Sequence, residues 1–374
     1  MITVYVSQDG NAIAGERYVG NDSAPIIQAL EYLYTVGGGE VFIENGSYYL
    51  NSVINISQSN IKIRGEGLHT KLIPQSGASQ TTLFTAIGDS TNKLTKITIE
   101  DISFGWGKEA SIGGNGLTIN HVEDGLIRGC YFQDNRTSGL QILNSKKIKV
   151  ENNISHGNSD GINIQGSSFC SFVNNISQQN SNQGVYSINC TNLMFAHNYI
   201  NQNANYGIVL HTGNHINISN NIIKNNTSGV FIGTSSAHIT MSNNIIRNST
   251  YSLYSKDNSN YNNIFGNVIV EAHTGIYSSS TTNNVYLGNT VSALNYGLYL
   301  ISSSNYNAVT GNQINKSTRG IYLGSYTSYN VISGNTISET TNSIYFTSTA
   351  NYNSFIGNTH LNNNSLGTDN IVIN

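Results

Sequence analysis

Residues 198–210 read Asn-Tyr-Ile-Asn-Gln-Asn-Ala-Asn-Tyr-Gly-Ile-Val-Leu, and residues 221–232 read Asn-Ile-Ile-Lys-Asn-Asn-Thr-Ser-Gly-Val-Phe-Ile. The leading Asn and the Gly of this stretch recur at intervals of 22 or 23 residues. A fixed period in this range identifies a repeat architecture. The Asn column consists of Asn153, Asn175, Asn198, Asn221, Asn244, Asn267, Asn289, Asn312, Asn335 and Asn358. The Gly column consists of Gly116, Gly139, Gly161, Gly184, Gly207, Gly229, Ser252, Gly275, Gly297, Gly320 and Ser343.

The repeat length predicts an all-β solenoid. Such a repeat is too short for a strand, a helix and two linkers, but it accommodates about three short strands joined by tight corners. In Gly-Ile-x-Ile, the residues one and three places after Gly face inward and the residue between them faces outward. We therefore expect a right-handed, single-stranded parallel β-helix. The Asn column should occupy a corner, where stacked amides hydrogen-bond along the column and tolerate the left-handed conformation.

The amino-terminal region carries a different pattern. Asp22-Ser23-Ala24-Pro25 is a helix-start signal, an apolar stripe from Ile26 to Tyr34 follows at helical spacing, and glycines begin at Gly37. We expect a helix over 23–36 that covers the first coil, within a cap spanning residues 1–50. Residues 51–374 are then expected to form one continuous β-helix of 22–23-residue coils, with a loop inserted over 107–115.

Composition excludes several classes of partner. Only 10% of the residues are charged and the net charge is −3, which argues against a nucleic-acid footprint. No apolar run approaches the length of a membrane span, and the first residues lack the basic and apolar regions of a signal peptide. The three cysteines have no metal-type spacing, and no acidic cluster is dense enough to indicate Ca²⁺. We expect no cofactor and no metal; Ca²⁺ stays open without a ligand cluster to support it.

Several motifs resemble the pectate-lyase-like β-helix superfamily. They are the amino-terminal helix, Gly37-Gly-Gly-Glu-Val-Phe-Ile43, Asn45-Gly-Ser-Tyr48 and the Gly-Asn-x-Ile repeats, which together cover nearly the whole chain. This superfamily includes polysaccharide lyases, alginate epimerases, polygalacturonases, phage tailspikes and repeat-containing surface proteins. The resemblance implies a polysaccharide partner and an extracellular, surface-associated or virion-associated location.

Two subfamilies can be compared with this chain position by position. Polygalacturonases are similar at Asn158-Ser-Asp-Gly161, but Asn182-Gln183 stands where they carry an Asp pair, and 205–207 reads Asn-Tyr-Gly where they carry Gly-His-Gly. Alginate epimerases are similar over 155–161, but they place Tyr, Asp and His around the Gly one coil earlier, where this chain reads Ser-Gly-Leu-Gln-Ile-Leu over 138–143. Neither complete catalytic set is present, and both reactions need paired acid–base or cationic groups.

Charged side chains concentrate in the coils from residue 128 to 215. Asp134 and His156 each lie five residues before a column glycine, which predicts equivalent positions on adjacent coils with Cα atoms about 5 Å apart. Asp160 lies just ahead of the next strand. The bland alternative is a solvated corner with an ordinary ion pair. The candidate catalytic residues are His156, Asp160 and Asp134, and the candidate substrate-binding residues are Lys149, Arg136, Tyr186 and His211.

Later coils replace these charges with tyrosines two places after the column glycine. This Tyr ladder comprises Tyr254, Tyr277, Tyr299, Tyr322 and Tyr345. The stacked rings either stabilise the sheet face or form a platform for sugar rings or a neighbouring subunit. The sequence thus favours a lyase, C5-epimerase or glycosidase acting on an acidic polysaccharide along the outer face of residues 128–215. The alternative is a non-enzymatic, tailspike-like surface or virion appendage that binds glycans or forms a trimer. Either a monomer or a homotrimer fits.

Overall fold

The computed structural model describes residues 1–9, 16–77, 81–105, 114–359 and 370–373. The chain divides into two compact units, Met1–Tyr186 and Ser187–Asn374. The loop expected over 107–115 lies outside the described residues except for its last two positions.

The first unit is built from short strands. Its strands are β1 (Thr3–Ser7), β2 (Glu16–Val19), β3 (Gly39–Ile43), β4 (Gly46–Leu50), β5 (Ile54–Ile56), β6 (Ile61–Pro74), β7 (Thr82–Ile87), β8 (Leu94–Gly105), β9 (Asn115–Asn120), β10 (Val122–Arg128), β11 (Tyr131–Gln133), β12 (Ser138–Leu143), β13 (Lys146–Glu151), β14 (Ile154–His156), β15 (Asp160–Gln165), β16 (Ser171–Val173) and β17 (Ile176–Gln178), and β18 (Val185–Ile188) begins in it.

The second unit continues the same kind of element. Its strands are β19 (Met194–Ala196), β20 (Tyr199–Asn201), β21 (Tyr206–His211), β22 (Asn217–Ser219), β23 (Ile222–Lys224), β24 (Ser228–Gly233), β25 (Thr240–Ser242), β26 (Ile245–Lys256), β27 (Asn263–Phe265), β28 (Val268–Ser279), β29 (Val285–Leu287), β30 (Thr290–Ile301), β31 (Ala308–Thr310), β32 (Gln313–Asn315), β33 (Arg319–Leu323), β34 (Val331–Ser333), β35 (Thr336–Ser338), β36 (Asn342–Phe346), β37 (Ser354–Ile356) and β38 (Ile371–Ile373).

Helix α1 spans Ala24–Thr35, with Pro25 in its first turn. Ile26, Leu30 and Leu33 are buried, and the helix packs against β1, β2, β3 and β5. The helix expected over 23–36 is therefore present. Its capping role and the boundary at residue 50 remain predictions.

Parallel pairing between successive coils forms three sheets in each unit. In the regular coils of the first unit, β9–β12–β15, β10–β13–β16 and β11–β14–β17 are the three sheets. In the second unit, one sheet contains β21, β24, β33, β36 and the carboxyl-terminal halves of β26, β28 and β30. Each unit is therefore a right-handed parallel β-helix, as predicted. We call the strands that carry the column glycine, in both units, the glycine strands.

The predicted Asn ladder is present and buried. Asn244 is 0% exposed; its Nδ2 donates to the Ile218 carbonyl and to Asn267 Oδ1, both at 2.9 Å. Its Oδ1 accepts from the amide N–H of Asn221 at 2.9 Å. Each ladder residue thus satisfies backbone groups of the preceding coil and donates to the Asn side chain of the next coil, so its buried amide has the partners that it requires.

Two further Asn ladders occupy other corners, where the sequence pattern did not predict them. In the first unit, Asn135 Nδ2 donates to Asn158 Oδ1 at 2.8 Å. In the second unit, Asn307 donates to Asn330 at 3.1 Å and Asn353 donates to Asn370 at 3.2 Å. These runs are shorter than the first ladder, so their periodicity is harder to see among so many asparagines.

The two glycine positions of the repeat have different physical reasons. The Gly of Gly-Asn-x-Ile, such as Gly311 at φ +64°, adopts the left-handed conformation one residue before the ladder. The column Gly is required instead by close approach. A Cβ at Gly275 would lie 2.6 Å from the carbonyl oxygen of Gly297 on the next coil.

Candidate functional site

Asp160 begins β15 and is held by amide donors. Asn182 Nδ2 donates to Oδ1 at 2.9 Å, the Gln183 backbone N–H donates to Oδ1 at 3.3 Å, and Asn163 Nδ2 donates to Oδ2 at 3.3 Å. Burial raises the pKa of the Asp160 carboxyl above its usual value, and the three hydrogen bonds oppose that shift in part. A half-buried carboxyl with a raised pKa is suited to proton transfer.

The side chains around Asp160 are polar and uncharged. Gln165 Nε2 donates to Asn163 Oδ1 at 3.0 Å within the same strand. On preceding coils, Asn115 Nδ2 donates to Gln141 Oε1 at 2.9 Å. Asp160 is the one ionisable residue on β9, β12 and β15. The glycine strands of the first unit therefore present amides and hydroxyls with a single carboxyl among them.

Asp134 is not stacked on His156, contrary to the prediction. The register pairs Gln133 with His156 and places Asp134 against Gly157, where an added Cβ would lie 2.5 Å from Asp134 Oδ1. The corner after Asn158 is one residue shorter than the equivalent corner of the coil before. Counting back from the column glycine therefore shifts the alignment by one position.

Asp134 lies instead between two surface clefts of the first unit. One cleft of about 270 Å³ is lined by Asp134, Arg136 and Gly157, among others. The other, of about 400 Å³, is lined by Asp134 together with His69 and Lys71 from β6. His69 and Lys71 could not be predicted from the repeat, because β6 precedes the regular coils and has no period that would align them.

The other candidates in the first unit lie apart from Asp160. His156 ends β14, and in the described part of the chain its buried Nδ1 has no hydrogen-bond partner. Lys149 is exposed on β13, opposite Leu126 and Ser171, in a different sheet from Asp160. Tyr186 is half-buried on β18, at the end of the first unit.

His211 belongs to the second unit, at the end of β21. Its Nδ1 lies 2.9 Å from Thr234 Oγ1, and its ring centroid lies 5.2 Å from that of Phe231. Burial lowers the pKa of His211, and the positive charge of Lys256 lowers it further, while Asp257 opposes both. The imidazole is therefore held towards its neutral form.

The Tyr ladder forms a continuous aromatic face on the glycine strands of the second unit. Tyr277 is perpendicular to both neighbours, with ring centroids 4.9 Å from Tyr254 and 5.3 Å from Tyr299. Tyr296 stacks on Tyr299 with ring centroids 4.3 Å apart. Tyr322 and Tyr345 also stack, with nearly parallel ring planes and centroids 5.1 Å apart. Ring packing along the strands is thus shown.

The described ranges lack two kinds of feature. They contain no group of three or more His, Cys, Asp or Glu residues placed to hold a metal ion. They also contain no helix of the length and apolarity needed to cross a membrane.

The sequence matches two family profiles over parts of the chain. The family described as "Right handed beta helix region" matches residues 84–246. The family described as "Periplasmic copper-binding protein (NosD)" matches residues 197–317 and 275–371. No curated protein sequence matches the chain.

Solved structures match the chain at low sequence identity. The mannuronan C-5 epimerase AlgE4 A-module of Azotobacter vinelandii superposes with a TM-score of 0.63 and 16% identity, over 98% of this chain and 99% of that one. DFA-IIIase of Arthrobacter chlorophenolicus A6 in complex with DFA-III gives 0.62 and 12%, over 88% and 94%. Gene product 12 of bacteriophage phi29 gives 0.62 and 14%, over 92% of this chain and 51% of that one. The chain therefore has the right-handed parallel β-helix fold.

Proposed function

We propose that the protein acts on a polysaccharide bound along the glycine strands of the first unit, with Asp160 as the proton-transfer group. The observation that supports this most is the raised pKa of a carboxyl held by three amide donors. The hydrogen bonds fix the orientation of the carboxyl, and burial brings its pKa closer to neutrality.

The surroundings of Asp160 suit a sugar chain. Amide side chains such as Gln141 and Asn163 both donate and accept hydrogen bonds, as sugar hydroxyls require. The fold is similar to that of a mannuronan C-5 epimerase, which supports the same class of ligand. An extracellular or surface location follows from this proposal, since polysaccharides of that kind lie outside the cell.

Two reaction classes fit the candidate residues. Removal of a C5 proton, in a lyase or epimerase, uses ionised Asp160 as the base and a cation for the substrate carboxylate, for which we propose Arg136. Hydrolysis needs a second carboxyl group. Asp134, in the cleft beside Arg136, is the candidate for that role. We rank His156 as an auxiliary group and Tyr186, on the strand β18 that pairs with β15, as a substrate contact. Lys149 lies in another sheet and His211 in the second unit, so both stay outside this proposal.

The experiment is an activity screen with matched variants. Mannuronan, polygalacturonate and neutral glycans are incubated with the protein and followed by ultraviolet absorbance for unsaturated uronates, by reducing ends and by NMR for C5 inversion. Asp160→Asn is expected to lower turnover by a factor of about 10² to 10⁴, the usual contribution of a positioned acid or base. Asp124→Asn is the control, because Asp124 is exposed and its φ of +67° suits Asn equally well.

Two results would contradict the proposal. One is full activity in the Asp160→Asn variant, which would move the chemistry elsewhere in the fold. The other is binding of a polysaccharide without any turnover across the panel.

That second result would favour a non-enzymatic appendage. The observation behind this alternative is the similarity to a bacteriophage protein of about twice the matched length, together with the aromatic face of the second unit. Light scattering tests it directly, because a tailspike-like appendage is expected to be trimeric. A monomer that binds glycans would support the glycan-binding role and exclude the trimer.

A further inference from the structure

Arg319 is a cation in the middle of an aromatic surface. It begins β33, directly before the column residue Gly320, and pairs in register with Tyr296 on the preceding coil. Its guanidinium carbon lies 5.5 Å from the ring centre of Tyr296, 5.3 Å from Tyr322 and 5.0 Å from Tyr345. Three tyrosines thus surround one guanidinium.

The hydrogen-bonding capacity of Arg319 is largely unused. Nη1 donates to the hydroxyl of Tyr296 at 2.8 Å, while Nε is buried and has no partner within the described residues. No acidic side chain forms an ion pair with Arg319 in the described part of the chain. A guanidinium has five N–H donors in a planar fork, so the terminal nitrogens keep donors for a ligand, while the buried Nε is not accessible to one.

Lys256 shows how the same face treats a cation that is neutralised. Its Nζ lies 5.7 Å from the ring centre of Phe231 and 5.8 Å from that of Tyr254, and it also forms an ion pair with Asp257 at 3.3 Å. Arg319 has the rings without the acid. Ring stabilisation by a cation accounts for the aromatic contacts of both residues. It does not explain a planar fork left without an anion at Arg319.

The tyrosines around Arg319 supply the rest of a sugar site. Burial raises the pKa of Tyr322, and it raises that of Tyr299 to about 12, so these phenols stay neutral and can donate hydrogen bonds at any physiological pH. Phenol rings also offer apolar faces and edges to the C–H groups of a pyranose. A carboxylate or sulfate oxygen pair matches the guanidinium fork.

We propose that Arg319, with Tyr296, Tyr322 and Tyr345, binds the anionic group of an acidic sugar residue within a polysaccharide. Carboxylate and sulfate ester share the chemistry that the fork recognises, and either would sit beside the rings with its sugar against them. The site is separate from Asp160 and does not depend on catalysis in the first unit.

The test is a binding titration by calorimetry with matched ligands. Oligogalacturonate is compared with its carboxyl-reduced, neutral counterpart, and a sulfated galactan oligomer is a third arm that separates the two anion types. Wild-type protein is expected to bind the acidic oligomers and to bind the reduced one at least tenfold more weakly. Arg319→Gln should weaken acidic binding by roughly 10- to 100-fold, the usual value of charged hydrogen bonds.

Three controls keep the outcome interpretable. Arg247→Gln removes an exposed arginine of β26 that lacks the tyrosine surroundings and should leave binding unchanged. Arg319→Lys keeps a positive charge against the tyrosine rings but removes the planar guanidinium, so it tests the anion contact if the Gln variant is unstable. It should retain less than half of the wild-type affinity. Asp124→Asn, at an exposed position of the first unit outside both proposed sites, should bind normally.

Several results would overturn the inference. Equal binding of acidic and reduced oligomers would remove the anion site, and so would unchanged affinity in both Arg319 variants. Loss of a dimer in Arg319→Gln, without glycan binding by the wild type, would instead assign this face to contacts between copies of the chain.

Discussion

The glycine strands of the two units share one backbone pattern but carry different outer surfaces. In the first unit, the position two after the column glycine holds Thr118, Gln141 and Asn163. Thr118 donates to Gln141, and Asn163 accepts from Gln165 of its own strand. In the second unit, the same position holds Val209 and Phe231 and then the Tyr ladder. Most inward positions are aliphatic in both units, and the exceptions, such as Ser187 and Ser278, are buried as well. The scaffold therefore leaves the outward position free to carry the surface that a ligand meets.

The largest expected effect tests the part that the two units share. Asn153→Ala and Asn244→Ala each leave buried backbone groups without partners: the Cys130 N–H and Ile127 carbonyl in the first case, the Asn221 N–H and Ile218 carbonyl in the second. Each orphaned group costs about 1–3 kcal/mol, so both variants should lose about 3 kcal/mol of stability or more. Urea denaturation followed by circular dichroism measures this loss.

The comparison predicts similar losses at the two sites. A large loss in one unit and a negligible loss in the other would mean that the ladders are not equivalent. The difference between the units would then extend into the scaffold itself.

Exchanging the outer surfaces should have a smaller effect. Tyr299→Asn installs in the second unit the residue type of the first, and it removes ring contacts with Tyr277, Tyr296 and Tyr322 at centroid distances of 5.3, 4.3 and 4.7 Å. The tyrosine is half-buried, so a loss of about 2 kcal/mol in unfolding free energy is expected. The same denaturation assay measures it.

Tyr306→Asn is the matched control for that exchange. Tyr306 is 57% exposed, stacks on Tyr329 and has a φ of +56°, a conformation that Asn tolerates better than Tyr. The lost stacking and the relieved strain should nearly cancel, to within about 0.5 kcal/mol. Equal losses at Tyr299 and Tyr306 would show that the Tyr ladder on the glycine strands has no special packing role.

The smallest expected effect is a pH dependence at the start of the aromatic face. Burial and Lys256 lower the pKa of His211 in the folded state, so the unfolded chain binds the proton first as pH falls. Native stability should therefore decrease as pH drops below about 6.5, the ordinary value for histidine, and continue to fall until the folded state is protonated as well.

Thermal denaturation between neutral and mildly acidic pH tests this dependence. The stability of the His211→Gln variant should decline less steeply as pH falls. The stability difference between this variant and the wild type should be constant above pH 8, where the imidazole is neutral in both the folded and the unfolded state. Parallel curves for the two proteins across the whole range would exclude a contribution from His211.

Periodicity predicted the scaffold because each repeat position faces the same constraint. Gly275 is adjacent to the next coil's backbone, and Asn244 satisfies a buried corner, so substitutions there are costly and the pattern stays visible. The outer positions face solvent and carry no such constraint. The repeat pattern therefore predicts where the coils lie, but it does not predict the contacts among their outer side chains.

Three features of the candidate sites could not be predicted from the repeat pattern. A one-residue difference between corners displaced Asp134 from His156, and counting from glycines concealed it. The donors to Asp160 lie on its own strand and on the next coil. One of them is Asn182, which stands where polygalacturonases carry an Asp, and the repeat pattern does not show that it donates to Asp160. Arg319 precedes Gly320 as Tyr296 precedes Gly297, so alignment of the repeats would have found their contact if both positions had been considered.

The Asn ladder also bears on how such a chain changes length. Within the second unit, Asn289 donates to Asn312, and Asn312 donates to Asn335 in the same geometry, at 2.9 Å in both cases. A coil therefore starts and finishes against the same chemical partner. Duplication or loss of a whole coil in the gene would rejoin like with like and leave no amide without a partner, whereas an insertion of any other size must be accommodated as a loop at a corner.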